Sequence, residues 1–172
     1  SGRLIVVSDS HVAPLYAEPL VDCLRGEGRE TRILVFPPGE QSKSGETIAA
    51  LWDGAFAEPL DRDDKIVAVG GGVVGDLAGF LASTLMRGIG IIQVPTTLLA
   101  MADAAIGGKT GINLSVGKNL VGTFHQPLAV VAWVGSLATL PPRERKRDPP
   151  PTPTPRGWTG SSARTSSVAK RG

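Results

Sequence analysis

Cysteine is nearly missing from this chain. Cys23 stands alone in 172 residues, which excludes an intrachain disulfide and a cysteine-based metal cluster. A reducing, cytoplasmic setting fits that composition. Long apolar runs are missing too: the most apolar region, 88–106, is interrupted by Pro95, two threonines and Asp103, so nothing in it can span a bilayer. No charged leader or signal-like segment precedes Leu4-Ile5-Val6-Val7, and the first residue is Ser1 rather than Met. The expectation is a fragment or processed chain, soluble and without a secretory signal. Charge of one sign is also lacking overall, at +2, although residues 1–144 carry −4 and residues 145–172 carry +6. Basic tails can bind nucleic acid, yet no recognition motif accompanies this one, so no nucleic-acid or membrane partner is expected.

The length suits one domain with a sizeable core. Over residues 1–140, short β-branched runs alternate with longer stretches compatible with helix, the pattern of an α/β fold in which a Rossmann-like parallel sheet carries helices on both faces. The predicted strands are 3–7, 31–36, 65–69, 89–94 and 128–133; the predicted helices are 13–26, 44–58, 74–86 and 96–105. Leu15, Leu20, Val21 and Leu24, then Ile48, Leu51, Ala55 and Phe56, recur at the spacing of an apolar helix face and read as core. At Pro141-Pro142 the alternation stops. Five prolines fall between 149 and 155, followed by Gly, Ser, Thr, Arg and Lys with almost no aliphatic residues. Such a segment cannot bury enough apolar area to offset its ordering entropy, so 145–172 is expected to be a disordered basic tail behind a domain at 1–144.

What the chain has in quantity is glycine at one turn. GGGVVGD at 70–76 follows the apolar run 65–69 and leads into Leu77-Ala78-Gly79-Phe80. Gly70, Gly72 and Gly75 satisfy G-x-G-x-x-G between a strand and a helix, where missing Cβ atoms let a pyrophosphate reach backbone N–H groups at a helix N-terminus. The alternative reading is a helix packed tightly on a sheet. The following strand, Ile91-Ile92-Gln93-Val94-Pro95, ends without the acid that usually takes the ribose hydroxyls of a dinucleotide. A nucleotide here therefore needs other partners.

Polar residues gather after successive strand ends, where ligands bind in open α/β sheets. Ser8, Asp9 and His11 follow the first strand, Glu40, Ser42 and Lys43 the second, Asp76 the glycine turn, and Thr96 and Thr97 the fourth strand. Each could serve merely as a helix cap or a solvated loop residue. The segment GGKTGIN at 107–113 resembles a phosphate-binding P-loop but fails on spacing, since its first glycine position is occupied by Asp103. A nucleoside-triphosphatase is disfavoured. Lys109 and Lys118 read instead as point charges for an anionic substrate.

Together GGGVVGDLAGF, MRG at 86–88, QVPTTLLAMAD at 93–103, GGKTGIN, GKNLVGTFHQP at 117–127 and LATLPPRE at 137–144 resemble the N-terminal half of the 3-dehydroquinate synthase family. The resemblance implies an NAD-dependent lyase of the shikimate route to aromatic amino acids. In its reaction a hydroxyl of 3-deoxy-arabino-heptulosonate 7-phosphate is oxidised, phosphate is eliminated, the ketone is reduced back, and the ring opens and recloses to 3-dehydroquinate. It also implies that Asp9, Glu40, Lys43, Gly71, Gly72, Val73, Asp76, Thr96, Thr97 and Thr139 contact NAD. Arg87, Asp103, Lys109, Lys118 and Asn119 would line the substrate side, and the full-length protein would be a homodimer with zinc or cobalt.

The resemblance ends after Glu144. There the family continues into a helix bearing G-x-A-E, whose Glu is a metal ligand, and then into a helical domain; here the text turns to RKRDPPPTPTP. His11 and His125, the chain's two histidines, fall in motifs where the family does not use them as ligands, so no three-ligand metal site is expected within this sequence. A shifted reading frame is the expected origin of the change, and an inactive fragment its consequence. Two other readings stand beside this one: a related sugar-phosphate cyclase, and a non-catalytic NAD-binding module.

Overall fold

The computed structural model describes residues 2–139. The predicted tail at 145–172 lies outside them. Five strands form one parallel sheet in the order β2-β1-β3-β4-β7: β1 Leu4–Asp9, β2 Thr31–Phe36, β3 Lys65–Gly70, β4 Gly90–Pro95 and the short edge strand β7 Ala129–Val130. The central strands are apolar at nearly every position because both faces are covered. Ile5, Val7, Ile66 and Ala68 point into a core shared with the helices α2 (Gly45–Ala55) and α3 (Gly72–Thr84). Val6, Val67 and Val69 point the other way, against Ala13, Ala17 and Val21 of the first helical segment. Full burial of each such aliphatic side chain stabilises by about 1.5–3 kcal/mol.

The helices show how local chemistry sets their ends. The stretch predicted as one helix over 13–26 is a π-helical turn, Ala13–Ala17, running into α1, Glu18–Gly26. Pro19 sits at that junction, and its missing N–H removes a bond that a continuous α-helix would need. Ser44 caps α2 by accepting the Thr47 amide at 3.2 Å. The fourth predicted helix contains a π-helical turn, Ala100–Ala104, before the chain leaves at Gly107 and Gly108.

Two elements differ from the sequence reading. The strand expected over 128–133 pairs in the ladder only at Ala129 and Val130, flanked by the Leu128 and Val131 amides, which donate to the Ile91 and Gln93 carbonyls at 2.8 Å. Residues 107–124, to which the sequence reading gives neither strand nor helix, contain an antiparallel hairpin of β5 (Lys109–Leu114) and β6 (Gly117–Phe124). The hairpin lies along α3, whose Gly79 leaves room for Thr110: a Cβ there would come within 2.3 Å of the Thr110 methyl.

Candidate functional site

The glycine turn divides its labour. A Cβ on Gly70 would stand 2.5 Å from Val74 Cγ2, and one on Gly75 would stand 3.1 Å from Gln93 Oε1, so these two glycines serve the packing of α3 on the sheet. Gly72 is different. A Cβ there meets nothing nearer than Ala104 Cβ at 3.9 Å, so protein packing does not require a glycine at this position. Gly71 caps α3 without a side-chain hydrogen bond, so among the described residues no cap side chain accepts the first-turn N–H groups. A helix N-terminus with free donors and an open approach is suited to an anion. The packing reading of the turn therefore holds at Gly70 and Gly75, while Gly72 leaves the space that an anion would need.

In front of this turn, at the C-terminal ends of β1, β3 and β4, lies a groove of about 840 Å³. Nine of the ten residues expected to contact a nucleotide line it: Asp9, Glu40, Gly71, Gly72, Val73, Asp76, Thr96, Thr97 and Thr139. Several also do structural work. Asp9 Oδ1 accepts the His11 and Val12 amides at 2.9 and 3.0 Å, and Thr97 Oγ1 accepts the Ala100 amide at 3.3 Å, so the capping role weighed from sequence coexists with the groove. Thr139 Oγ1 lies 2.6 Å from the Tyr16 hydroxyl, which ties the last described residue back to the first helical segment.

The tenth residue, Lys43, lines neither this groove nor its neighbour. It is buried, and its ammonium donates to Asp76 Oδ2 at 2.6 Å and to Asn119 Oδ1. Burial pushes the Asp76 carboxyl above its ordinary range, with Lys43 pulling the other way and losing. Asp76 and Ala104 also line a second cavity of about 400 Å³, together with Asp103, Lys109, Thr110, Asn119 and the face of β6. The two cavities thus share a wall. Lys109 and Asp103, both exposed, set a cation and a carboxylate on the rim of the second.

Of the five residues expected on the substrate side, three therefore meet in one cavity: Asp103, Lys109 and Asn119. Lys118 is outside it, solvated, with its ammonium 4.0 Å from Glu40 Oε1. Arg87 stands apart. It lies beyond the far end of α3, and 13 residues of helix put it about 20 Å from the glycine turn. Sequence reasoning did not single out Asn113, whose amide joins Glu40 to the Asn119 backbone at 2.8 and 2.9 Å. No local period could have marked it: a register shift falls between Ile112, which is buried, and Leu114, which is exposed.

A family profile described as 3-dehydroquinate synthase N-terminal matches residues 33–147. The chain belongs to the 3-dehydroquinate synthase family. A 3-dehydroquinate synthase from Salinibacter ruber is 51% identical over 144 residues, 84% of this chain and 39% of that protein. The chain thus spans about two-fifths of the curated relatives it matches. Among solved structures, a 2-deoxy-scyllo-inosose synthase complexed with carbaglucose-6-phosphate, NAD+ and Co2+ superposes with a TM-score of 0.77 at 38% identity, covering 83% of this chain and 39% of that one. A 2-epi-5-epi-valiolone synthase from Streptomyces hygroscopicus, with NAD+ and Zn2+ bound, gives 0.74 at 37% identity over 84% of this chain and 40% of that one. The α/β fold of the family, a parallel sheet with helices on both faces, is the fold of this chain.

Proposed function

We propose that this chain is the nucleotide-binding part, with a share of the substrate site, of a 3-dehydroquinate synthase acting on 3-deoxy-arabino-heptulosonate 7-phosphate. The observation that carries the reading is the wall of Asp76 and Ala104 common to both cavities, which would bring a nucleotide and a polar substrate into contact. Higher identity to 3-dehydroquinate synthases than to the two cyclases of known structure favours this substrate over that of a related cyclase. The open Gly72 cradle fits NAD. When bound, NAD supplies a hydride acceptor whose hydride is returned within each cycle.

The chain's own residues then have separate tasks. The first-turn N–H groups of α3, with Gly71, Gly72 and Val73, would take the pyrophosphate. Asp9, Glu40, Asp76, Thr96, Thr97 and Thr139 would line the remainder of the dinucleotide. Lys43 would act from behind, holding Asp76 and Asn119 in place. In the second cavity the Lys109 ammonium would neutralise a phosphate or carboxylate, Asp103 would orient a hydroxyl, and Asn119 would hold a polar group against the shared wall. Lys118 would meet an anion from the solvent side; Arg87 is left out of this set.

A metal is handled differently. Among the described residues no group of three or more His, Cys, Asp or Glu comes together as a metal would require, so they do not fit zinc or cobalt and no step is assigned to one. Among the same residues no helix is long and apolar enough to cross a membrane. Assembly as a homodimer in the cytoplasm belongs to the same proposal. Isothermal titration of the chain with NAD tests the central claim: saturable binding at one site per chain is expected, and no binding would overturn the reading.

A further inference from the structure

Asn113 lines neither cavity, yet both ends of its amide are engaged at the boundary between them. Nδ2 donates to Glu40 Oε1 at 2.8 Å, and Oδ1 accepts the Asn119 backbone N–H at 2.9 Å. Its own backbone N–H donates to the Lys43 carbonyl at 2.7 Å, which fastens the hairpin to the loop after β2. Glu40 lies on the groove, and Asn119 lies on the second cavity with φ at 56°, a left-handed conformation that asparagine adopts more readily than most residues. The amide offers a donor for the carboxylate and, on a separate atom, an acceptor for the N–H, which a carboxylate in its place would not. Without it, Glu40 has one long side-chain contact left among the described residues, the Lys118 ammonium at 4.0 Å, which solvent weakens.

We propose that Asn113 is a positioning residue for the nucleotide: its amide orients the Glu40 carboxylate toward the groove while locking the hairpin backbone at Asn119. The inference rests on the groove's being the NAD site. A merely structural Asn113 would stabilise the hairpin without selecting the direction of Glu40, and an exchange of groups separates the two. Asn113→Asp keeps the shape and the acceptor for Asn119 but sets a carboxylate against Glu40. Adding Glu40→Gln returns a donor to that contact with the amide and carboxylate exchanged.

The experiment is NAD titration of the parent chain, Asn113→Asp, Glu40→Gln and the double variant, alongside thermal melts. Asn113→Asp is expected to weaken NAD about tenfold, the size of a lost charge-assisted hydrogen bond. The double variant is expected to bind several-fold tighter than Asn113→Asp alone. Equal affinity of Asn113→Asp and the parent would overturn the proposal and leave the NAD reading standing, as would a double variant no tighter than Asn113→Asp. Should Asn113→Asp fail to fold, Asn113→Ser, too short to reach Glu40, takes its place: a similar loss supports the proposal and unchanged affinity overturns it. A parent chain that does not bind NAD overturns both readings together.

Discussion

At the scale of single residues, the contrast between Gly70 and Gly72 is the sharpest consequence of the geometry. Valine at 70 drives its Cβ into Val74 and should cost about 1–3 kcal/mol, read as a lowered melting temperature. Valine at 72 finds open space, so Gly72→Val should melt within a few degrees of the parent yet weaken NAD by roughly two orders of magnitude. Parent-like NAD affinity in Gly72→Val would remove the turn from the nucleotide site. Asp64 gives a second prediction. Nearly all buried, it accepts the Arg3 amide at 2.7 Å, the Arg3 guanidinium at 3.0 Å and the Asp61 amide at 2.9 Å. Burial alone would raise its pKa, but these bonds together hold it below the ordinary carboxylate value. A depressed carboxylate contributes stability above its unfolded pKa that is lost as pH falls through the folded value. Melting temperature should therefore drop with acid below about pH 4, and Asp64→Asn should flatten that drop while costing roughly 2–4 kcal/mol at pH 7. An unchanged acid limb in the variant would show that other carboxylates dominate.

At the scale of elements, the hairpin decides the second cavity. Lys109 and Asn119 sit on different strands, ten residues apart, and only the pairing of β5 with β6 brings them to one wall. Gly122 makes that pairing possible, since a Cβ there would stand 1.9 Å from the Thr110 carbonyl oxygen. Gly122→Ala should therefore open the hairpin. Hydrogen exchange is expected to accelerate across 109–114 and 117–124 while β1, β3 and β4 stay protected. Uniform acceleration over the sheet, or none, would mean that the hairpin is not a separate unit of stability. The hairpin was not legible beforehand because most of β6 is exposed and because Gly, Lys and Asn supply few strand signals. The sheet strands were legible, within a residue or two at their ends, because burial on both faces makes them continuous apolar runs. The last of them was overread: at the sheet edge only Ala129 and Val130 pair in the ladder, with the Leu128 and Val131 amides bonded to β4 on either side, where the sequence has a six-residue apolar run.

At the scale of the whole molecule, the chain carries the groove and the second cavity with their common wall, over a span about two-fifths that of its relatives. The expected behaviour is binding without turnover. Phosphate release from 3-deoxy-arabino-heptulosonate 7-phosphate, measured with NAD and added zinc or cobalt, should stay far below the roughly 1–1000 per second common to enzymes. Release in that range by this chain would show that the described residues suffice for the chemistry. The sequence by itself determined the family, the parallel sheet and the position of the glycine turn, because these rest on local signals: apolar periodicity, glycine spacing and motifs a few residues long. Tertiary structure alone decided which glycine faces open space, that Lys43 is sealed behind Asp76, that Arg87 lies at the far end of its helix, and that Asn113 bridges Glu40 and Asn119. Each of those is a distance between residues far apart in the chain, set by packing across elements that no local pattern encodes.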